Sequence, residues 1–129
     1  MPPPLQEYIT VSGFYDNGQR GIGGRFCQPG YFGWSNFDSL RTSLDASYAR
    51  NGRVWQVANN DEVWKVWCKV TRSKASIVEV DNSITIKPGP RYDLEDGTIC
   101  FFRLTNRSGG FTIDFNSPNN TQNWKVHVA

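Results

Sequence analysis

The chain has 129 residues, 14 Lys+Arg against 12 Asp+Glu for a formal net charge of +2, and 14% aromatic residues. Its length suits one domain around a single core. With 38% hydrophobic and 20% charged residues, and with 12 Gly, 11 Asn and 10 Ser, the composition favours short strands and many turns and excludes both a helical bundle and a disordered chain.

No apolar run approaches the roughly 18 residues of a membrane span, and Met1-Pro2-Pro3-Pro4-Leu5 lacks the basic and apolar segments of a signal peptide. The expectation is therefore a chain without a membrane span, intracellular in location, and in a virion or host cytoplasm if viral. Residues 1–7 read as an extended proline-containing arm and residues 8–129 as a single β-rich domain. Tyr8 to Tyr15 can form a first strand, followed by the turn signal Asp16-Asn17-Gly18 and a glycine-rich stretch through Gly24. That stretch lacks the Gly-Lys-Ser/Thr ending of a P-loop, so a hairpin is the better reading than a phosphate cradle.

One helix is predicted near residues 36–50. Ser35-Asn36-Phe37-Asp38 resembles a capping box, Phe37, Leu40, Leu44 and Tyr48 make one apolar stripe, and Asn51-Gly52 reads as the stop. From Arg53 the period changes to 2, and strands are predicted near 53–58, 63–71, 76–81, 83–88, 98–105, 110–116 and 123–128. Short links between them imply an antiparallel meander. The fold class expected is mainly β: an antiparallel β-sandwich or partly closed barrel of about 8–9 strands with one amphipathic helix. The five tryptophans, at 34, 55, 64, 67 and 124, lack the regular interval of a β-trefoil.

Residue types narrow the chemistry. Cys27, Cys68 and Cys100 are odd in number and show no Cys-x-x-Cys spacing, so reduced, buried thiols are expected rather than a disulfide framework or a zinc knuckle. His127 is the only histidine, which excludes any metal site built on two. The loop Asp93-Leu94-Glu95-Asp96-Gly97 has no EF-hand spacing and reads as a solvated turn. Glu79 and Asp114 are the carboxylates that a glycosidase would need on opposite sides of a cleft. No catalytic residue, metal or cofactor is assigned, and the chain is expected to bind rather than catalyse.

Charge is uneven, with a net of +3 over residues 65–129 and −1 over residues 1–64. If Val63 to Thr71 is a strand, alternation places Trp67 between Lys65 and Lys69 on the polar face. A ring so placed can stack on a sugar while Asn59, Asn60 and Asp61 in the preceding loop bond hydroxyls. The ligand-binding residues expected are thus Trp67, Lys65, Lys69, Asn59, Asn60 and Asp61, and the function a small-glycan, lectin-type binding module. The alternative is a protein-interaction or assembly protein, such as a viral or phage structural subunit, an inhibitor or an effector, that uses its N-terminal arm and an edge strand, with a homo-oligomer among its expected forms. Nucleic acid ranks below glycan and protein as a partner, because four basic side chains from Lys65 to Lys74 are more simply solubilising.

Overall fold

The computed structural model describes residues 15–16, 19–20, 24–81, 83–104 and 109–129. The arm of residues 1–7 and most of the strand expected over 8–15 lie outside them. Tyr15–Asp16 (β1) and Gln19–Arg20 (β2) pair antiparallel; Asn17 and Gly18 of the turn signal lie outside the described residues.

Helix α1 (Phe37–Ser47) buries Phe37, Leu40 and Leu44, the stripe its spacing predicts. Its cap is Asn36, one residue after the expected Ser35, and the Asn36 side chain accepts from the Ser39 N–H at 2.8 Å. The helix closes at Tyr48, earlier than expected, because Asn51-Gly52 marks a hairpin rather than a helix stop. Ala49–Asn51 (β4) and Val54–Val57 (β5) pair with Asn51 opposite Val54, and Gly52 takes φ +62° in the two-residue loop between them.

The segment expected as the strand 63–71 is instead helix α2 (Asn60–Val70). Asn59 caps it by accepting from the Glu62 N–H at 3.0 Å, Asp61 and Glu62 sit in the first turn and Lys69 in the last, as the helix dipole favours. Val63, Trp64, Val66, Trp67, Cys68 and Val70 are all buried. A strand would send Trp64 and Trp67 to opposite faces, whereas residues three apart share one side of a helix. Burying both indoles therefore selects the helix over the β propensity of Val and Trp.

Arg25–Phe26 (β3), Ser76–Val80 (β6) and Ser83–Lys87 (β7) form a three-stranded sheet in the order β3-β6-β7. Arg91–Asp93 (β8), Ile99–Arg103 (β9), Thr112–Ser117 (β10) and Asn120–Val128 (β11) join β4 and β5 in a six-stranded sheet, order β4-β5-β11-β10-β9-β8. Strands β6, β7, β9, β10 and β11 fall close to their predicted places, and β3 and β8 are additional to them. Strands β9 to β11 are the expected antiparallel meander, β8 adds an unpredicted antiparallel strand to it, and β5 lies parallel to β11. Among the described residues the fold is mainly β and sandwich-like, with nine strands in these two sheets, two helices where one was expected, and no closed barrel.

One hydrophobic cluster joins both helices and both sheets through Leu40, Leu44, Trp55, Val66, Trp67, Ile77, Phe102, Phe115 and Val126. Helix α2 packs on β5, β10 and β11. Cys27 and Cys68 are bonded, with their Cα atoms 5.5 Å apart, and Cys100 is free and buried. The disulfide corrects the expectation of three reduced thiols: spacing along the chain carries no information on a pair that folding brings together across 41 residues.

Candidate functional site

Helix α2 decides where the expected binding residues go. Trp67 has no exposed surface; its ring stacks on Phe102 with centroids 5.5 Å apart, and its indole N–H is buried without a hydrogen-bond partner. The exposed tryptophan on a basic strand is therefore not formed. Asn59 is used as the α2 cap, and Asn60 Oδ1 accepts from the Phe111 N–H at 2.8 Å, tying α2 to the start of β10. Both asparagines act in the fold.

Asp61, Lys65 and Lys69 recur every four residues along the outer side of α2, next to Trp64 and Cys68. The helical period thus exchanges Trp67 for Trp64 beside the same charged residues. Arg25, Phe26, Gln28, Tyr31, Asp61, Trp64, Lys65 and Cys68 line a cleft of about 280 Å³ between α2 and the segment that leaves β3, near the lower end of the roughly 300–1,000 Å³ usual for ligand sites.

Each wall is held by an identifiable contact. The Trp64 indole N–H donates to the Phe26 carbonyl at 3.1 Å, and the Cys27–Cys68 bond fixes the loop to the helix one turn further on. The Tyr31 N–H donates to Ser73 Oγ at 3.0 Å, and the Lys69 ammonium lies 5.9 Å from the Tyr31 ring centroid. Gly33, at φ +68°, lets the loop pass so close that a Cβ there would stand 2.8 Å from the Lys69 carbonyl oxygen.

The cleft's charges are mixed. The Arg25 side chain is only 4% exposed, pairs with Asp61 at 2.8 Å and lies over the Phe111 ring. Burial pulls its guanidinium below the ordinary arginine value, with Asp61 opposing the shift. Lys65 approaches Glu62 at 3.5 Å, and Glu62 in turn accepts from the Tyr48 hydroxyl at 2.9 Å. Burial, reinforced by Glu62, raises the Tyr48 phenol.

A second, more polar cleft of about 340 Å³ opens at the start of α1, lined by Asn36, Phe37, Asp38, Arg41, Asp96, Ser117 and Asn119. Its Asp96 carboxylate is already bonded, accepting from the Phe37 and Thr98 N–H groups, both at 2.9 Å.

The carboxylates weighed for chemistry are dispersed. Asp114 sits on β10 with Arg103 at 2.8 Å, Lys125 in direct contact and Asn123 at 3.2 Å, whereas Glu79 is on β6 of the other sheet, opposite Ile84. Asp93 pairs with Arg91 and Glu95 with Arg72. His127 places Nδ1 2.8 Å from the Val128 carbonyl. Among the described residues no group of three His, Cys, Asp or Glu is arranged to hold a metal ion, and no helix is long and apolar enough to cross a membrane.

Sequence reasoning missed Tyr31 and Trp64. The signal for Trp64 was present: Asn59 followed by Glu62, then apolar residues at 63, 66, 67 and 70, is a helical pattern. No local signal points to Tyr31, which the disulfide and Ser73 bring to the cleft. Comparison of the chain with protein-family models, with curated proteins and with solved structures finds no match.

Proposed function

We propose that this protein is a non-enzymatic binding module that takes a small hydroxylated ligand of the glycan class in the cleft between α2 and the loop after β3. The observation that carries the reading is the grouping of three aromatic side chains, Phe26, Tyr31 and Trp64, with Arg25, Gln28, Asp61 and Lys65 around one concave space. The half-buried rings of Phe26 and Tyr31, backed by the buried Trp64, suit the apolar face of a sugar, and the polar side chains suit its hydroxyls. The disulfide beneath the cleft holds its two walls together before a ligand arrives, which lowers the ordering cost of binding. It also supports work in an oxidising setting rather than the reducing interior expected from the sequence.

A glycan array followed by amide-resolved NMR titration tests this. Retention of a mono- or disaccharide epitope with shifts centred on Tyr31, Asp61, Trp64 and Lys65 is expected. Tyr31→Ala and Lys65→Ala should each weaken retention roughly tenfold, the loss of about one good contact, with unchanged circular dichroism. Retention insensitive to both variants, or no retained glycan at all, overturns the reading.

The assembly alternative is favoured by a different observation, the exposed strand β7.

A further inference from the structure

Among the described residues the small sheet ends on β7. Four of the five β7 residues are exposed, with Ile86 half-buried, and the hairpin leaves Val80 61% and Ile84 41% exposed. Edge strands in natural proteins are generally blunted by a proline, a bulge or an internal charge. Strand β7, Ser83-Ile84-Thr85-Ile86-Lys87, has no proline and no charge before its last residue, and its register with β6 runs without a bulge: Ser76 with Lys87, Ile77 with Ile86, Val78 with Thr85, Glu79 with Ile84, Val80 with Ser83. Strand alternation puts Ile77, Glu79, Ile84 and Ile86 on one face and the Ser, Thr, Lys and Val positions on the other.

We propose that β7 pairs antiparallel with β7 of a second copy of this chain, about a two-fold axis at Thr85. Centring on Thr85 is the one symmetric register that pairs all five residues. Thr85 then opposes Thr85, Ile84 opposes Ile86, and Ser83 opposes Lys87, so no like charges meet. The row Ile77, Ile86 continues into Ile84 of the second copy, which covers the apolar surface that Ile84 exposes in the single chain. A one-residue slip would set isoleucines against the polar face. This self-complementarity is why the occupant is a second copy rather than an unrelated strand, since a two-fold contact requires one patch to match itself. The proposal is independent of the cleft and supplies the assembly alternative with a specific partner.

Sedimentation velocity on the full chain over a concentration series tests it, with circular dichroism confirming that each variant is folded. A concentration-dependent dimer is expected. Ser83→Glu, which sets a carboxylate opposite Lys87 at both symmetric ends, should tighten the dimer roughly five- to tenfold, and Ser83→Arg should weaken it by a similar factor. Combining Ser83→Arg with Lys87→Glu should restore it. A monomer at every concentration, or a dimer indifferent to all three substitutions, overturns the proposal.

Discussion

The Trp67 ring lies on Phe102 with centroids 5.5 Å apart and planes 29° from parallel. Trp67 is fully buried and Phe102 nearly so, so removing the indole leaves a cavity where α2 meets β9. Trp67→Ala should destabilise the protein by about 3–5 kcal/mol, the usual range for a buried large aromatic. Urea unfolding checks this. A stable variant that had lost ligand retention instead would restore Trp67 to a surface role.

Asp96 caps α1 from 59 residues further along the chain, with Oδ2 accepting from the Phe37 N–H at 2.9 Å. Asp96→Ala should cost about 1–2 kcal/mol, as for other helix caps. Burial disfavours the Asp96 carboxylate, but the N–H groups of Phe37 and Thr98 outweigh it and hold the carboxyl below its ordinary value. A depressed folded-state value means the contribution is complete above the unfolded value of about 3.9 and is lost as pH falls through the folded one. Melting in acid should therefore decline less steeply in Asp96→Asn than in the parent.

Asp114 follows the same sign with different partners. Its side chain is 11% exposed, and burial opposes ionisation, yet bonds from Lys125, Arg103 and Asn123 leave the carboxyl lowered. Asp114→Asn should destabilise by about 1–2 kcal/mol at neutral pH, since charged hydrogen bonds are lost while Arg103 and Lys125 still reach solvent. The difference from the parent should shrink as pH falls below the unfolded value of about 3.9 and on through the lowered value of the folded carboxyl. Denaturant midpoints measured at both pH values decide it.

The Cys27–Cys68 bond closes a loop of 41 residues, and the joint change Cys27→Ser with Cys68→Ser should cost about 3–4 kcal/mol by loop-closure entropy. Cys100 is free and buried, and burial, with Asp93 and Asp96 nearby, raises its thiol. A thiol-alkylating reagent without reductant should therefore modify nothing in the native protein and one cysteine after unfolding, as read by intact mass. Three modified cysteines without reductant would show the bond to be absent.

Local patterns marked most of the elements. The Phe37, Leu40, Leu44 stripe marks α1, and the turn signals after residues 80 and 117 mark the hairpins β6–β7 and β10–β11. Strands β4 and β8 escaped notice at three residues each, too short for a period to show. For α2 the local signal was divided: Val63 to Val70 satisfies a period of 2 and a period of 3.6 at once, and Asn59 with Glu62 was the cue that separated them. A strand over these residues would set Trp67 beside Lys65 and Lys69, whereas the helix sets Trp64 beside Asp61 and Lys65 in the cleft lining.

The mainly β class, the position of α1 and the bounds of the longer strands follow from local patterns, because turn chemistry and side-chain periodicity act within a few residues. Packing alone made α2 a helix, brought Cys27 to Cys68, set Asp96 on the start of α1 and placed Tyr31 and Trp64 around one cleft. Each of those depends on which surfaces the collapsed chain can bury together: two indoles have to enter one core from the same side, and groups 33 to 59 residues apart along the chain meet only once that core exists.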